Sequence, residues 1–129
     1  MMAKAKILLI DDRRTVLQLL EAIFKIRGYE LLYAENGQQG MALARQEQPD
    51  LILLDVMMPE IDGFKVCQYL KGQPETAHIP VVFLSARGAA DDLEAGCRVG
   101  AQGFLTKPFL AGEVLAMVER QLAGCNEGQ

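Results

Sequence analysis

The segment 51–54, LILL, constrains the fold most, because it is an apolar run without polar alternation that stops on a carboxylate, Asp55. A half-exposed strand alternates apolar and polar residues, whereas a strand covered on both faces does not. The run therefore predicts a strand inside a parallel sheet with helices on both sides. Asp55 is then at the carboxyl end of the strand, the edge where open α/β sheets form ligand crevices. An Asp there is also a common turn or capping residue, so Asp55 alone does not identify a site.

Four more short apolar segments predict strands, at 6–10, 30–34, 80–86 and 103–108. The spacing of apolar residues between and after these strands predicts five helices. In chain order, they cover the apolar stripe from Val16 to Phe24, residues 38–46, about 64–71, about 91–99, and the apolar stripe from Val114 to Leu122. Alternating strands and helices imply right-handed crossovers and a doubly wound α/β domain. We expect one domain, residues 1–124, and a short polar tail, 125–129.

Composition excludes several classes of function. The chain has 13 basic and 17 acidic residues and a net charge of -4, which gives no electrostatic reason to bind nucleic acid. Its apolar runs are shorter than the roughly 20 residues of a membrane span, and its amino terminus is not that of a secretory signal. We therefore expect a cytoplasmic protein that neither enters a membrane nor binds nucleic acid directly.

The cysteines and the histidine do not predict a site. Cys67, Cys97 and Cys125 form no C-x-x-C pair, so a metal or disulfide role is not indicated. His78 is the only histidine, and it precedes Pro80 in a predicted loop. We interpret all four as structural residues.

Polar side chains lie at the ends of four of the five predicted strands. The first strand delivers Asp11 and Asp12, and the third, fourth and fifth deliver Asp55, Ser85 and Lys107 to the same edge. Carboxylate oxygens suit Mg²⁺, which takes one or two carboxylates together with phosphate oxygens. Two carboxylates on the metal leave the third, Asp55, to act as a nucleophile toward a phosphoryl group. Lys107 and Ser85 then stabilise charge on the phosphoryl oxygens.

The full set resembles the receiver domain of two-component response regulators. The matching residues are IDD at 10–12, LLDVMMPEIDG at 53–63, LSA at 84–86 and LTKPF at 105–109, and the resemblance covers nearly all of the chain. It implies a flavodoxin-like fold with five helices around a five-stranded parallel sheet of order 2-1-3-4-5.

The resemblance also implies roles. Asp55 looks like the phosphoacceptor, and Asp11, Asp12, Asp55 and the backbone carbonyl of Met57 look like Mg²⁺ ligands. Phe104 looks like the aromatic switch residue that responds to Ser85, although a plain core role for Phe104 remains open. The Lys107-Pro108 bond is typically cis in similar proteins.

The implied partners are proteins. The phosphoryl donor is a histidine of a sensor kinase or phosphotransfer protein, and the output is a downstream effector protein, since the chain ends about where such a domain ends. The implied protein is not an enzyme acting on a separate substrate, but a phosphoacceptor that promotes its own phosphotransfer and dephosphorylation.

Three positions depart from the commoner receiver pattern. Arg13 stands where an acidic or small polar residue often follows the acid pair, and Arg14 adds a second positive charge. Their guanidinium groups either neutralise part of the pocket or project into solvent at the start of the first helix, and we favour the second. Met57 and Arg87 supply no acid or amide to orient water, so we expect slow hydrolysis of the aspartyl phosphate.

Two other functions remain as alternatives. A flavodoxin-like cofactor enzyme shares the doubly wound order, but it needs a Gly- or Ser/Thr-rich phosphate loop after the first strand, where this chain has DDRR at 11–14. An interaction module that is never phosphorylated retains the same fold. Phosphorylation of Asp55 distinguishes a receiver from such a module.

Overall fold

Five strands form one parallel sheet. The computed structural model describes residues 5–56, 58, 61–85, 98–106 and 110–127. Its strands are β1 (Lys6–Ile10), β2 (Glu30–Ala34), β3 (Leu51–Asp55), β4 (Val81–Ser85) and β5 (Gly103–Thr106). They are ordered β2-β1-β3-β4-β5, and each neighbouring pair is parallel. The predicted parallel sheet and its strand order are confirmed.

Four helices accompany the strands in the described part of the chain. They are α1 (Arg14–Lys25), α2 (Gly37–Glu47), α3 (Gly63–Lys71) and α4 (Ala111–Glu127). Five helices were predicted. Of the one predicted over 91–99, residues 91–97 lie outside the described part of the chain. Helix α4 includes the first residues of the segment predicted as a polar tail. None of the helices in the described ranges is long and apolar enough to span a bilayer.

Local signals in the sequence set where the helices begin and end. Asn36 and Asp62 cap α2 and α3, because their side chains accept hydrogen bonds from the backbone N–H of the third residue of each helix. After α1 the chain turns at Gly28, which has a φ of 72° that a residue with a side chain adopts at an energetic cost. These ends fix the positions at which the chain enters each following strand.

Side chains of the strands alternate between two buried layers. On one face of the sheet, Leu51 and Leu53 belong to a core shared with α1 and α4, and on the other, Ile52 and Leu54 belong to a core shared with α2 and α3. All four side chains are fully buried. Both faces of β3 are therefore covered, which explains why the run 51–54 contains no polar residue.

The register aligns the strand ends. Ile10 pairs with Leu54 of β3, and Asp55 pairs with Leu84 of β4. Parallel strands in this register finish at nearly the same level, so the residues that follow β1 and β3 meet at one edge, called here the carboxyl end of the sheet.

Candidate functional site

Three carboxylates lie together at the carboxyl end of the sheet. One carboxylate oxygen from each of Asp11, Asp12 and Asp55 lies within 4.8 Å of the other two. Asp11 is fully buried and Asp55 is 4% exposed, whereas Asp12 is exposed to solvent. The structure therefore brings these three predicted residues together in a cluster that is exposed to solvent at Asp12; we call this cluster the acid pocket.

Backbone hydrogen bonds on both sides hold Asp11. Its N–H donates to the carbonyl of Ala34 at 3.0 Å, which continues the pairing of β1 with β2 by one residue. The N–H of Arg13 donates to Asp11 Oδ1 at 2.9 Å. Arg13 is also the residue that precedes α1, so the start of this helix orients the Asp11 carboxylate. This backbone donor was not predicted, because no side-chain pattern signals it.

Asp55 is placed by the end of β3 and the start of α3. The N–H of Val56 donates to the carbonyl of Leu84 at 3.0 Å, which extends the pairing of β3 with β4 past Asp55. The N–H of Gly63, the first residue of α3, donates to the carbonyl of Val56 at 2.8 Å. The chain therefore returns to the same strand end that it left seven residues earlier.

The donor set of the acid pocket fits Mg²⁺. Mg²⁺ prefers hard oxygen ligands and commonly takes one or two carboxylates while keeping several waters. The cluster consists of carboxylates alone, which disfavours softer transition metals. Two of the three are buried side by side, and a cation between them relieves the repulsion that burial strengthens. Asp11, Asp12 and Asp55 are thus the described side chains that would hold the metal.

The two arginines after the acid pair point to solvent. Arg13 and Arg14 are exposed. Arg14 Nε lies 3.5 Å from Glu35 Oε2, and the Arg14 side chain is 81% exposed. The structure thus agrees with the favoured alternative, in which these guanidinium groups project into solvent at the start of α1.

Several predicted site residues lie outside the described part of the structure. They are Met57, Arg87, Lys107 and Pro108, together with the side chain of Ser85. The backbone of Ser85 ends β4 and pairs with Thr106 of β5, one residue before Lys107. The roles of these residues as metal ligand, charge stabilisers and switch therefore stay predictions.

Phe104 is part of an aromatic row that the sequence did not predict. It is half-buried, and its ring centroid lies 5.9 Å from that of Phe83 on the neighbouring strand. Phe83 in turn lies 5.0 Å from Phe64, in the first turn of α3. The three residues are far apart in the chain, so only the pairing of β4 with β5 and the packing of α3 reveal the row. Its existence does not decide between a core role and a switch role for Phe104.

The described cysteine and the histidine lie away from the acid pocket. Cys67 is buried, its Sγ lies 3.5 Å from the carbonyl oxygen of Val99, and burial raises the pKa of its thiol to about 11. His78 is exposed in the turns before β4. Both observations agree with structural roles, while Cys97 lies outside the described residues, as does the side chain of Cys125.

Comparison with known proteins identifies relatives along nearly the whole chain. The family model of the response regulator receiver domain matches residues 7–119. The DNA-binding dual master transcriptional regulator RpaA of Synechocystis sp. is 45% identical over 117 residues, which are 91% of this chain and 48% of RpaA. Protein PilH of Pseudomonas aeruginosa is 40% identical over 120 residues, which are 93% of this chain and 99% of PilH. The chain thus spans about half the length of RpaA and almost all of PilH.

A solved structure has the same fold and a metal in its cleft. The receiver domain of the sensor histidine kinase PA1611 from Pseudomonas aeruginosa, with a magnesium ion coordinated in the active site cleft, superposes with a TM-score of 0.87. It is 26% identical and covers 94% of this chain and 99% of its own. Because the family model matches most of its length, the chain belongs to the response regulator receiver domain family, the phosphoacceptor domains of two-component signalling.

Proposed function

We propose that Asp55 is the residue that accepts the phosphoryl group, from a phosphohistidine of a sensor kinase or a phosphotransfer protein. The observation that carries this proposal is the position of Asp55, almost completely buried at the end of β3 and within 4.8 Å of the Asp11 and Asp12 carboxylates. Neither of the other two aspartates combines burial with a place at the end of the central strand. The non-phosphorylated interaction module is not favoured, since this acid pocket has no role in it.

The reaction is a transfer between two nucleophiles. A carboxylate oxygen of Asp55 attacks the phosphorus atom, and the new P–O bond forms as the P–N bond to the donor imidazole breaks. The imidazole nitrogen leaves with the electron pair of that bond and takes a proton from solvent. The low exposure of Asp55 restricts the direction from which a donor reaches it, which favours in-line attack.

Mg²⁺ is the cofactor that we propose for this site. When bound, it neutralises part of the negative charge that the phosphoryl oxygens bring to three carboxylates. The coordinated magnesium in the PA1611 receiver supports the proposal, as does the all-oxygen character of the pocket. In this chain the Arg13 N–H keeps Asp11 Oδ1 in a fixed orientation, so the pocket is organised before the donor arrives.

The remaining roles follow from the resemblance and from the sheet. We propose that Lys107 and Ser85 contact the phosphoryl oxygens from the ends of β5 and β4, and that Met57 contributes its backbone carbonyl to the metal. Phe104 then changes its packing and alters a surface that an effector protein reads. The basis is a two-state element biased by one new charged group.

Phosphorylation of a variant pair tests the assignment of Asp55. Asp50 precedes the same strand and lies at its opposite end, so Asp50→Asn is matched to Asp55→Asn in chemistry and differs in place. With acetyl phosphate and Mg²⁺, we expect intact-mass spectra to show one phosphoryl group on the wild type and on Asp50→Asn, and none on Asp55→Asn. EDTA should abolish labelling. Labelling of Asp55→Asn equal to that of the wild type, or labelling that survives EDTA, contradicts the proposal.

A further inference from the structure

Gly63, the first residue of α3, lies unusually close to the backbone at the end of β3. A Cβ atom built on Gly63 would overlap the backbone carbonyl oxygen of Asp55 and would lie 3.0 Å from Val56 Cα. Real Cβ atoms do not approach another atom as closely as this one would approach the Asp55 oxygen, so one of the two backbones would have to move. The obstacle is main chain, and no change of side-chain rotamer removes it.

The glycine is required for space rather than for backbone conformation. Among the described glycines, Gly28 and Gly100 have the positive φ that side chains rarely adopt, and Gly63 does not. Gly63 is also a helical residue, where glycine is disfavoured relative to alanine. The close approach to Asp55 is therefore the structural reason for a glycine at this position.

Two hydrogen bonds fix the start of α3, and the first of them ties it to the same strand end. The Gly63 N–H donates to the Val56 carbonyl at 2.8 Å, and the Lys65 N–H donates to Asp62 Oδ1 at 2.9 Å. The first bond fixes the distance between the helix and the strand, and the second fixes the residue at which the helix begins. Together they hold the start of α3 against the peptide group between Asp55 and Val56.

We propose that Gly63 is a positioning residue of the acid pocket, because the missing Cβ lets α3 press against the Asp55 carbonyl and thereby sets the direction of the Asp55 carboxylate toward Asp11 and Asp12. This inference rests on the proposed function, since it concerns the metal site used for phosphoryl transfer. A side chain at position 63 displaces the end of β3 from the other two carboxylates and weakens Mg²⁺ binding.

Three glycine variants test this inference. Gly63→Ala introduces the overlap at the pocket. Gly103→Ala crowds Met117 Sδ at 3.0 Å, but lies at the start of β5, at the end of the sheet away from the acid pocket. Gly112→Ala adds a Cβ on α4 with nothing within 4 Å. Mg²⁺ affinity is measured by calorimetric titration of the metal-free proteins, and folding is checked by thermal unfolding.

We expect Gly63→Ala to bind Mg²⁺ at least about tenfold more weakly, as when residues that support metal ligands are changed. Gly103→Ala, which crowds only the flexible end of the Met117 side chain, and Gly112→Ala should both bind Mg²⁺ as the wild type does. Wild-type Mg²⁺ affinity in folded Gly63→Ala overturns the inference while the proposed function stands. A wild type that binds no Mg²⁺ overturns both.

A second pair of variants applies if Gly63→Ala does not fold. Asp62→Ala removes the cap of α3, whereas Asp62→Asn removes the charge and keeps a capping oxygen, because Asn caps helices as well as Asp does. If the start of α3 positions the pocket, Asp62→Ala binds Mg²⁺ more weakly than Asp62→Asn. Equal affinities of these two variants then overturn the inference.

Discussion

The two ends of the sheet use the same kinds of polar residue in opposite ways. At the carboxyl end, Asp11, Asp12 and Asp55 bring their carboxylate oxygens within 4.8 Å of one another. At the amino end, Asp50 Oδ2 instead accepts a hydrogen bond from the Lys6 N–H at 2.8 Å. Asp50 and Asp55 lie at the two ends of the same strand. Their surroundings differ because of the end at which each lies, since the residue type is the same.

At the amino end of the sheet, polar side chains form hydrogen bonds and an ion pair with other groups of the fold. Lys6 Nζ lies 3.6 Å from Glu47 at the end of α2, and Lys71 Nζ at the end of α3 donates to the Ile79 carbonyl at 2.7 Å. Gln102 Oε1 accepts from the N–H of Val81 at 2.8 Å, which closes the start of β4. Polar side chains here connect helix ends to strand starts, whereas the three aspartates at the other end form the proposed cation site. Substitutions at the two ends should therefore differ in kind.

The largest expected difference is in the response of stability to Mg²⁺. A ligand at one hundred times its dissociation constant raises the free energy of unfolding by about 2.7 kcal/mol. We expect this increase in the wild type and in Asp50→Asn, and its loss in Asp11→Asn, which lacks one of the proposed metal-binding carboxylates. Urea unfolding with MgCl₂, compared with NaCl of equal ionic strength, measures it. Mg²⁺ stabilisation of Asp11→Asn equal to that of the wild type would remove the distinction between the two ends.

A change at the amino end should lower stability without affecting the metal. Lys71→Met removes the donor to the carbonyls of Ala77 and Ile79, and we expect a loss of about 2 kcal/mol in the free energy of unfolding, as for hydrogen bonds from a charged group. Lys65→Met, at an exposed position of the same helix, is the control and should change stability by less than about 0.5 kcal/mol. The Mg²⁺ affinity of Lys71→Met should equal that of the wild type, and a weaker one would contradict the separation of roles.

Cys67 offers a test of a buried ionisable group that the fold keeps neutral. Burial raises the pKa of its thiol from 9.0 to about 11. The unfolded protein therefore loses this proton at lower pH than the folded protein does, and unfolding becomes easier as the pH rises from 9 toward 11. Between pH 8 and pH 10 we expect the free energy of unfolding to fall by about 1 kcal/mol more in the wild type than in Cys67→Ala.

Urea unfolding of the two proteins at both pH values measures this difference. The pKa values of Tyr29 and Tyr33 are also raised, chiefly by burial, and contribute to the alkaline loss of stability. Those contributions are common to the wild type and Cys67→Ala, so subtraction removes them. An identical pH dependence in the two proteins would show that the Cys67 thiol does not contribute.

The smallest effect is expected for the arginine beside the acid pocket. Arg14→Gln breaks an exposed ion pair with Glu35 and should change the free energy of unfolding by less than about 0.5 kcal/mol. Because an exposed charge is screened by salt, Mg²⁺ affinity should rise by no more than about twofold. The control is Arg27→Gln. Arg27 follows the carboxyl end of α1, away from the acid pocket, and this change breaks its ion pair with Glu119. A tenfold rise in Mg²⁺ affinity for Arg14→Gln alone would mean that its guanidinium neutralises the pocket.

Much of the fold was predictable because burial in a parallel sheet leaves a local signal. The predicted ranges 6–10 and 30–34 coincide with β1 and β2. The predicted starts of α2 and α3 were one residue late, because Gly37 and Gly63 are poor helix formers that the caps Asn36 and Asp62 nevertheless place in the first turn. The fourth strand begins one residue after the predicted start, because Pro80 lacks the N–H that a paired strand residue donates.

The three aspartates of the acid pocket were predictable from the sequence, but their geometry was not. A carboxylate after a buried strand is visible in the sequence, and Asp11, Asp12 and Asp55 could be selected in this way. That Asp12 is exposed while Asp11 is fully buried follows from the direction in which the chain turns into α1. The aromatic row of Phe64, Phe83 and Phe104 has no signature in the sequence for the same reason, since it depends on packing between distant segments.

The sequence by itself determined the alternation of strands and helices, the burial of β3 and the residues at the ends of the strands. These features depend on periodicity and on turn residues, which act over a few neighbouring residues. Only the tertiary structure decided which polar groups bond within the fold and which form the acid pocket. Asp50 meets the backbone of β1, Asp55 meets Asp11 and Asp12, and Gly63 lies against the Asp55 carbonyl, all through strand register and helix packing. These contacts join residues far apart in the chain, and their distances are set by the folded backbone rather than by any local pattern.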